Sequence, residues 1–179
     1  MSRNWITDCP DLQKNLKAFD SLYVSTWIFV DFSKPSCQDR FWIYDGSREL
    51  NECVYSGVVL HGRGGNSTSS KPDFSNEIGS GCSSLGLYRL DGLVRMKNGM
   101  KAFKLIGLSK TNSNAEARHI YIHPSKLATL LPFNLPGLNF PLTNASEGCF
   151  AVSYPTFEYL KRYWKESGHD MCLYAYYKK

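Results

Sequence analysis

A histidine and a cysteine, His123 and Cys149, are the side chains of this sequence best suited by type and order to covalent chemistry. A cysteine nucleophile needs a base to draw off its proton, or a nearby imidazolium to stabilise the thiolate. It also needs a backbone whose N–H groups can face a developing oxyanion. Gly148, directly before Cys149, supplies that freedom, because glycine tolerates a tight turn and a close approach to a substrate carbonyl. Ser146, in the stretch ASEGCFAVS, is a candidate to orient the imidazole or to line the pocket. These residue types point to acyl transfer through the cysteine sulfur. They also fit an idle arrangement, in which a small buried thiol and a strand-end imidazole have no shared role.

His123 closes the run RHIYIH, and residues 118–122 read as a strand in which Ile120 and Ile122 share one face. His119 and Tyr121 then share the side of His123, with His119 a neighbour rather than a catalyst. Further strands are expected at residues 22–30 (LYVSTWIFV), 41–44 (FWIY), 54–60 (VYSGVVL), 85–90, 102–108 and 171–177. Polar or turn-forming stretches such as residues 33–39 and 45–48 separate them. Residues 62–84, rich in Gly, Ser and Asn, read as an ordered surface loop beside the site, since strands resume directly after them. Helical turns are expected at residues 11–19 and 125–131, and a clear helix at 155–167. Pro155 opens that helix, Gly168 lies just past it, and Phe157, Leu160 and Trp164 make its apolar stripe. The reading is an N-terminal helical extension over residues 1–20 and one mainly β catalytic domain over residues 21–179.

Composition narrows the classes further. An aromatic content of 14% in a chain of 179 residues favours one β-rich domain with a real core. The formal net charge is +5, but the basic residues are scattered and form no stripe, so nucleic-acid binding is not expected. No apolar stretch is long enough for a membrane span. The start, MSRNWITDCPDLQKN, has no apolar core of a signal peptide, which leaves a cytosolic protein or a mature form whose leader was removed. Six cysteines without a C-x-x-C pair define neither a disulfide scaffold nor a zinc site.

The order His, loop, then S-x-G-C resembles the signature of L,D-transpeptidases. More specifically, the chain resembles the murein L,D-transpeptidase catalytic-domain-like branch, with Ser146, Gly148, Cys149, Ala151 and Val152 matching its S-x-G-C-P-A-v element. Other landmarks follow in one order: VDFSKPS (30–36), RFWIYD (40–45), HGRG (61–64), FSN (74–76), SSLG (83–86) and NAEARHIYIH (114–123). The resemblance covers about residues 24 to 177. Three positions depart from it. Pro124 stands where relatives usually have Gly after the histidine, Phe150 where the branch usually has Pro, and Glu147 where the wider family often has His.

The resemblance implies an L,D-transpeptidase-like β-sandwich or barrel with a few short capping helices. It implies a peptidoglycan substrate, a tetrapeptide stem with terminal D-Ala, attacked by the Cys149 thiolate at the carbonyl of the third residue. His123 would act as base and then acid, with Gly148 and Cys149 N–H groups as the oxyanion hole. An amine would resolve the acyl-enzyme to a 3–3 crosslink, or water to a carboxypeptidase product. No cofactor or metal is required, and the place of action would be the periplasm or cell envelope. Candidate substrate-binding residues are Arg118, whose guanidinium suits a carboxylate, His61 and Arg63 on a Gly-rich turn, and Ser84 with Ser83. Each also has a purely structural reading.

Other readings stay open from the sequence. Sortases share the order His before Cys, but the only nearby arginine, Arg162, falls in the amphipathic helix. Papain-like and NlpC-like hydrolases place Cys first, and a Cys149–His169 pair would follow that order. A β-rich wall-binding module without turnover is the non-enzymatic alternative. Acceptor, disulfide pairing and oligomeric state are not encoded in any recognisable motif.

Overall fold

The computed structural model describes residues 24, 26–45, 53–130 and 146–178. Among them, nine strands join one sheet: β1 (Thr26–Asp31), β2 (Phe41–Asp45), β3 (Cys53–Gly57), β4 (Val59–Leu60), β5 (Gly86–Arg95), β6 (Lys101–Gly107), β7 (Tyr121–Pro124), β8 (Phe150–Val152) and β9 (Met171–Tyr176). Two helices accompany them, α1 (Lys126–Leu130) and α2 (Tyr154–Glu166). The mainly β expectation therefore holds, and short helices cap the sheet as anticipated.

The strand order is β3-β2-β1-β9-β5-β6-β7-β8-β4. Its two edges, β3 and β4, are separated in sequence by Val58 alone. One extended segment thus pairs with β2 at one end and β8 at the other, so the sheet nearly closes on itself. Near-closure leaves little unpaired edge. The single run expected at residues 54–60 is split here because its halves serve opposite edges.

Two parallel pairings matter. β1 runs beside β9, and β7 runs beside β8 with Ile122 level with Phe150 and His123 level with Ala151. The interior is packed with Ile28, Val30, Phe41, Phe103, Leu105, Ile122, Phe150 and Leu173, all fully buried. α2 presses Phe157 and Leu160 onto this core, and Trp164 meets Phe103 edge-on at 5.4 Å between ring centroids. Ser153 caps the helix by accepting the Thr156 N–H at 3.2 Å, with Pro155 in the first turn.

Two expectations shift. β5 runs on to Arg95 and forms a long hairpin with β6, whose turn has the Met96 N–H on the Met100 carbonyl at 2.8 Å. Residues 118–120 are not strand: they finish a compact turn in which the Ile120 N–H bonds the Ala115 carbonyl and His119 has φ +53. β7 begins only at Tyr121, so alternation of faces starts there rather than at Arg118. β1 is described from Thr26, and residues 22, 23 and 25 of the expected strand lie outside the described residues. The expected helix at 11–19, the extension over 1–20 and the loop at 131–145 lie outside the described residues.

Candidate active site

The β7–β8 register decides which side chains meet. Side chains alternate along a strand, so Ile122 and Phe150 enter the core while Tyr121, His123, Cys149 and Ala151 take the opposite face. The Tyr121 N–H accordingly reaches Cys149 Sγ at 3.4 Å. His123, Cys149, Ser146 and Tyr121 all line one cleft of about 670 Å³, together with His119, Arg118, Arg63, Glu147 and the hairpin tip at residues 95–98.

Each of the two reactive groups is tuned by its surroundings. Burial pushes the Cys149 thiol up to about 11, against the Tyr121 N–H and the Arg118 charge, which favour the thiolate; Glu147 adds to the rise. The S–H is directed at the His119 carbonyl, 3.4 Å away. Burial holds the His123 imidazole below its ordinary value, opposed by a bond at 3.1 Å between Nδ1 and the Pro124 carbonyl. A carbonyl only accepts, so this contact assigns the proton to Nδ1 and leaves the Nε2 lone pair for a substrate or thiol proton. His123 and Cys149 share the cleft, but no hydrogen bond joins the imidazole to the sulfur, whose contacts are the Tyr121 N–H and the His119 carbonyl.

Gly148 carries φ +113, and a Cβ there would lie 2.6 Å from the Cys82 carbonyl oxygen and 2.9 Å from Arg118 Nη2. Only glycine fits this turn. Its carbonyl accepts the Ser83 hydroxyl at 3.1 Å, and the same hydroxyl accepts the Gly62 N–H at 2.9 Å. Ser146 donates to the Cys149 carbonyl at 2.6 Å, so it braces the backbone of the Gly148–Cys149 turn while also lining the cleft.

The other residues singled out in the sequence separate into two groups, those on the cleft and those behind it. Arg63 is on the cleft, paired with Glu147 at the exposed rim. Arg118 is there too, but its Nη1 donates to the Ser75 carbonyl at 2.7 Å and Ser84 Oγ at 3.2 Å, and its Nη2 to the Cys82 carbonyl and Ser80 Oγ. Ser84 is fully buried and also bonds Tyr88 Oη at 2.7 Å; Ser83 is buried behind Gly148. His61 does not line the cleft. It is buried against Phe32, with Nδ1 2.8 Å from Nη2 of the fully buried Arg40, and burial with that neighbouring charge drives it down to about 4. His169 packs on Trp164 at 4.0 Å between ring centroids, and Arg162 lies over Tyr159, both outside the cleft lining. A Cys149–His169 pair and a sortase-like Arg162 therefore have no counterpart in this arrangement.

A model of the L,D-transpeptidase catalytic domain matches residues 8–176. The chain belongs to the L,D-transpeptidase catalytic-domain family. Among solved structures, this L,D-transpeptidase domain is similar to Bd1075 from Bdellovibrio bacteriovorus, at 15% identity and TM-score 0.49, over 87% of this chain and 49% of that one. It is also similar to an L,D-transpeptidase from Xylanimonas cellulosilytica, at 13% identity and TM-score 0.48, over 94% and 70%. An L,D-transpeptidase from Mycobacterium smegmatis follows at 11% and 0.44, over 86% and 59%. The L,D-transpeptidase domain thus spans about half the length of the Bdellovibrio protein. A search of curated proteins gave no significant match. Family membership rests on the domain match, not on these distant likenesses.

Sequence reasoning missed the hairpin tip and the role of Arg40. The tip had a signal, Asn98-Gly99 between β-prone runs, which favours a tight hairpin. Arg40 had none, since a lone arginine before an aromatic strand reads as surface. Among the described residues no group of three or more His, Cys, Asp or Glu side chains could hold a metal ion, and Cys37, Cys53, Cys82, Cys149 and Cys172 are free thiols. No described helix is long and apolar enough to cross a membrane.

Proposed function

We propose that the chain is a peptidoglycan L,D-transpeptidase that forms an acyl-enzyme on Cys149 with a tetrapeptide stem. The observation that carries this reading is the parallel β7–β8 register, which sets His123 and Cys149 on one face of one cleft. The His123 Nε2 takes the thiol proton as Sγ attacks the carbonyl of the third stem residue. Collapse of the tetrahedral adduct breaks the peptide C–N bond, and the imidazolium returns its proton to the departing amine of D-Ala. Backbone N–H groups at Gly148 and Cys149 receive the oxyanion; one such donor typically supplies about 2.7–4 kcal/mol. An amine then takes the acyl group to give a 3–3 crosslink, or water releases it as an L,D-carboxypeptidase product. Such substrates place the enzyme in the periplasm or cell envelope.

The test is incubation with purified muropeptides followed by mass analysis. A tetrapeptide donor should add an acyl mass to Cys149, as should a carbapenem, with no adduct on the other cysteines. Cys149→Ala should lose the adduct and all product. Crosslinked or trimmed product from that variant ends the proposal.

A further inference from the structure

The β5–β6 hairpin carries positive charge into the cleft that the proposed chemistry does not use. β9 pairs with β5 only from Gly86 to Arg89, so the far half of the hairpin, from Leu90 outward, projects beyond that pairing. β6 pairs with β7 through Phe103–Ile122 and Lys104–Tyr121. Continued along the antiparallel ladder, this register brings the tip toward the His123 end of β7. The tip is ordered: Arg95 pairs with Lys101 across the ladder, the Gly99 N–H bonds the Met96 carbonyl at 2.9 Å, and Gly99 takes the positive φ that the turn requires.

Among the described residues four Arg and Lys side chains line the cleft, and three are committed to other groups. Arg118 donates to two carbonyls and two hydroxyls, Arg63 is paired with Glu147, and Arg95 spends Nη1 on the Gly99 carbonyl at 2.9 Å. Lys97 makes no hydrogen bond or ion pair among the described residues, and it and Arg95 are both exposed on the cleft lining. Glu147 is the single acid among the described residues of the lining and is answered by Arg63. Among the lining cations, Arg95 and Lys97 are therefore the exposed ones without an acidic partner, whereas Arg118 is half-buried among carbonyls and hydroxyls.

We infer that Arg95 and Lys97 form a carboxylate subsite that reads a free carboxylate of the stem peptide while its scissile carbonyl sits at Cys149. This rests on the proposed function and adds the group that is recognised. An Arg–Lys pair on a rigid hairpin suits such a group, the guanidinium as a planar fork and the ammonium as a point charge. The carboxylate has two sources on one peptide, the terminus of the leaving residue and a side chain of the stem.

The experiment uses three synthetic tetrapeptides: the free acid, its C-terminal amide, and a form with the side-chain carboxylate amidated. Binding is titrated on the unaltered protein and on the Arg95→Gln/Lys97→Gln variant, and acylation of Cys149 is followed in parallel by mass. Both positions are exposed, so folding should be unaffected, which a thermal melt verifies. The expected result is that one of the two amidations weakens binding to the native protein about tenfold, as loss of a charge-assisted contact does. The double variant should bind all three peptides equally, at the weaker level. Native binding that is indifferent to both amidations, or discrimination that survives in the double variant, overturns the inference. In either event an acyl adduct on Cys149 keeps the proposed function, and its absence with every peptide removes that function separately.

Discussion

Alkylation of Cys149 should be slow at neutral pH and should climb with pH far beyond the range of an ordinary thiol. The sulfur is nearly buried, receives one N–H from Tyr121 and directs its own proton to the His119 carbonyl. Burial outweighs these contacts and the Arg118 charge, leaving the thiol at about 11. That is a rise from an ordinary 9.0, so at pH 7 the folded protein should hold roughly 100-fold less thiolate at this position than a free thiol. The assay is the rate of iodoacetamide labelling of Cys149, read by peptide mass mapping from pH 6 to 11 with glutathione as reference. The logarithm of the rate should rise by about one per pH unit until near pH 11. Steric shielding lowers the whole curve without changing that slope, so the midpoint is the deciding quantity. A plateau below pH 9 would refute the reasoning, because it would mean that His123 and Arg118 hold a thiolate at rest. Fast acylation by substrate at pH 7 in the same preparation is compatible with the prediction, since in the proposed mechanism His123 Nε2 removes the proton during attack.

Gly148→Ala should cost about 2–4 kcal/mol of stability, from a side chain at φ +113 and a Cβ set against the Cys82 carbonyl; an unchanged melting temperature by calorimetry argues against the turn described. Acid should destabilise the protein through His61. The unfolded imidazole binds a proton near its ordinary value while the folded one resists until about 4, so stability falls as pH drops between those values, by about 1.4 kcal/mol per unit. His61→Gln, which retains an acceptor for Arg40, should flatten that slope in denaturant titrations; equal slopes in the two proteins would contradict it.

How much could be read in advance depended on whether local pattern or distant packing fixed a position. β2, β9 and α2 were legible because their aromatic and β-branched runs, or their apolar stripe between Pro155 and Gly168, agree with what the tertiary structure wants. His123 and Cys149 were legible as types and in order. Their placement on one cleft was not, because it depends on parallel pairing of β7 with β8 across a long connection, which no short-range pattern encodes. The strand start at Tyr121 was missed for a related reason: RHI has strand propensity, but the Arg118 guanidinium is pulled to the Ser75 and Cys82 carbonyls and His119 must turn with positive φ. Likewise His61 on its HGRG turn looks like a surface group, while tertiary packing buries it against Arg40 and Phe32.

The long Gly/Ser segment then acquires a specific physical role. Its hydroxyls and carbonyls converge on the backbone behind the nucleophile. Ser83 joins Gly62 to Gly148, the Cys82 carbonyl abuts the position a Gly148 side chain would need, and Arg118 gathers Ser75, Ser80, Cys82 and Ser84 around one guanidinium. Glycines at 62 and 148 permit the approach; at Gly62 a Cβ would run into the Gly81 carbonyl oxygen. A loop made of small polar residues is thus held by a network of hydrogen bonds, several of them to main chain. Arg118 serves as the brace of that assembly while its charge favours the Cys149 thiolate. The exposed cations of the cleft that lack an acidic partner, Arg95 and Lys97, lie on the hairpin. The loop and Arg118 thus fix the backbone around the sulfur, and on the inference above the hairpin is the part that reads the substrate.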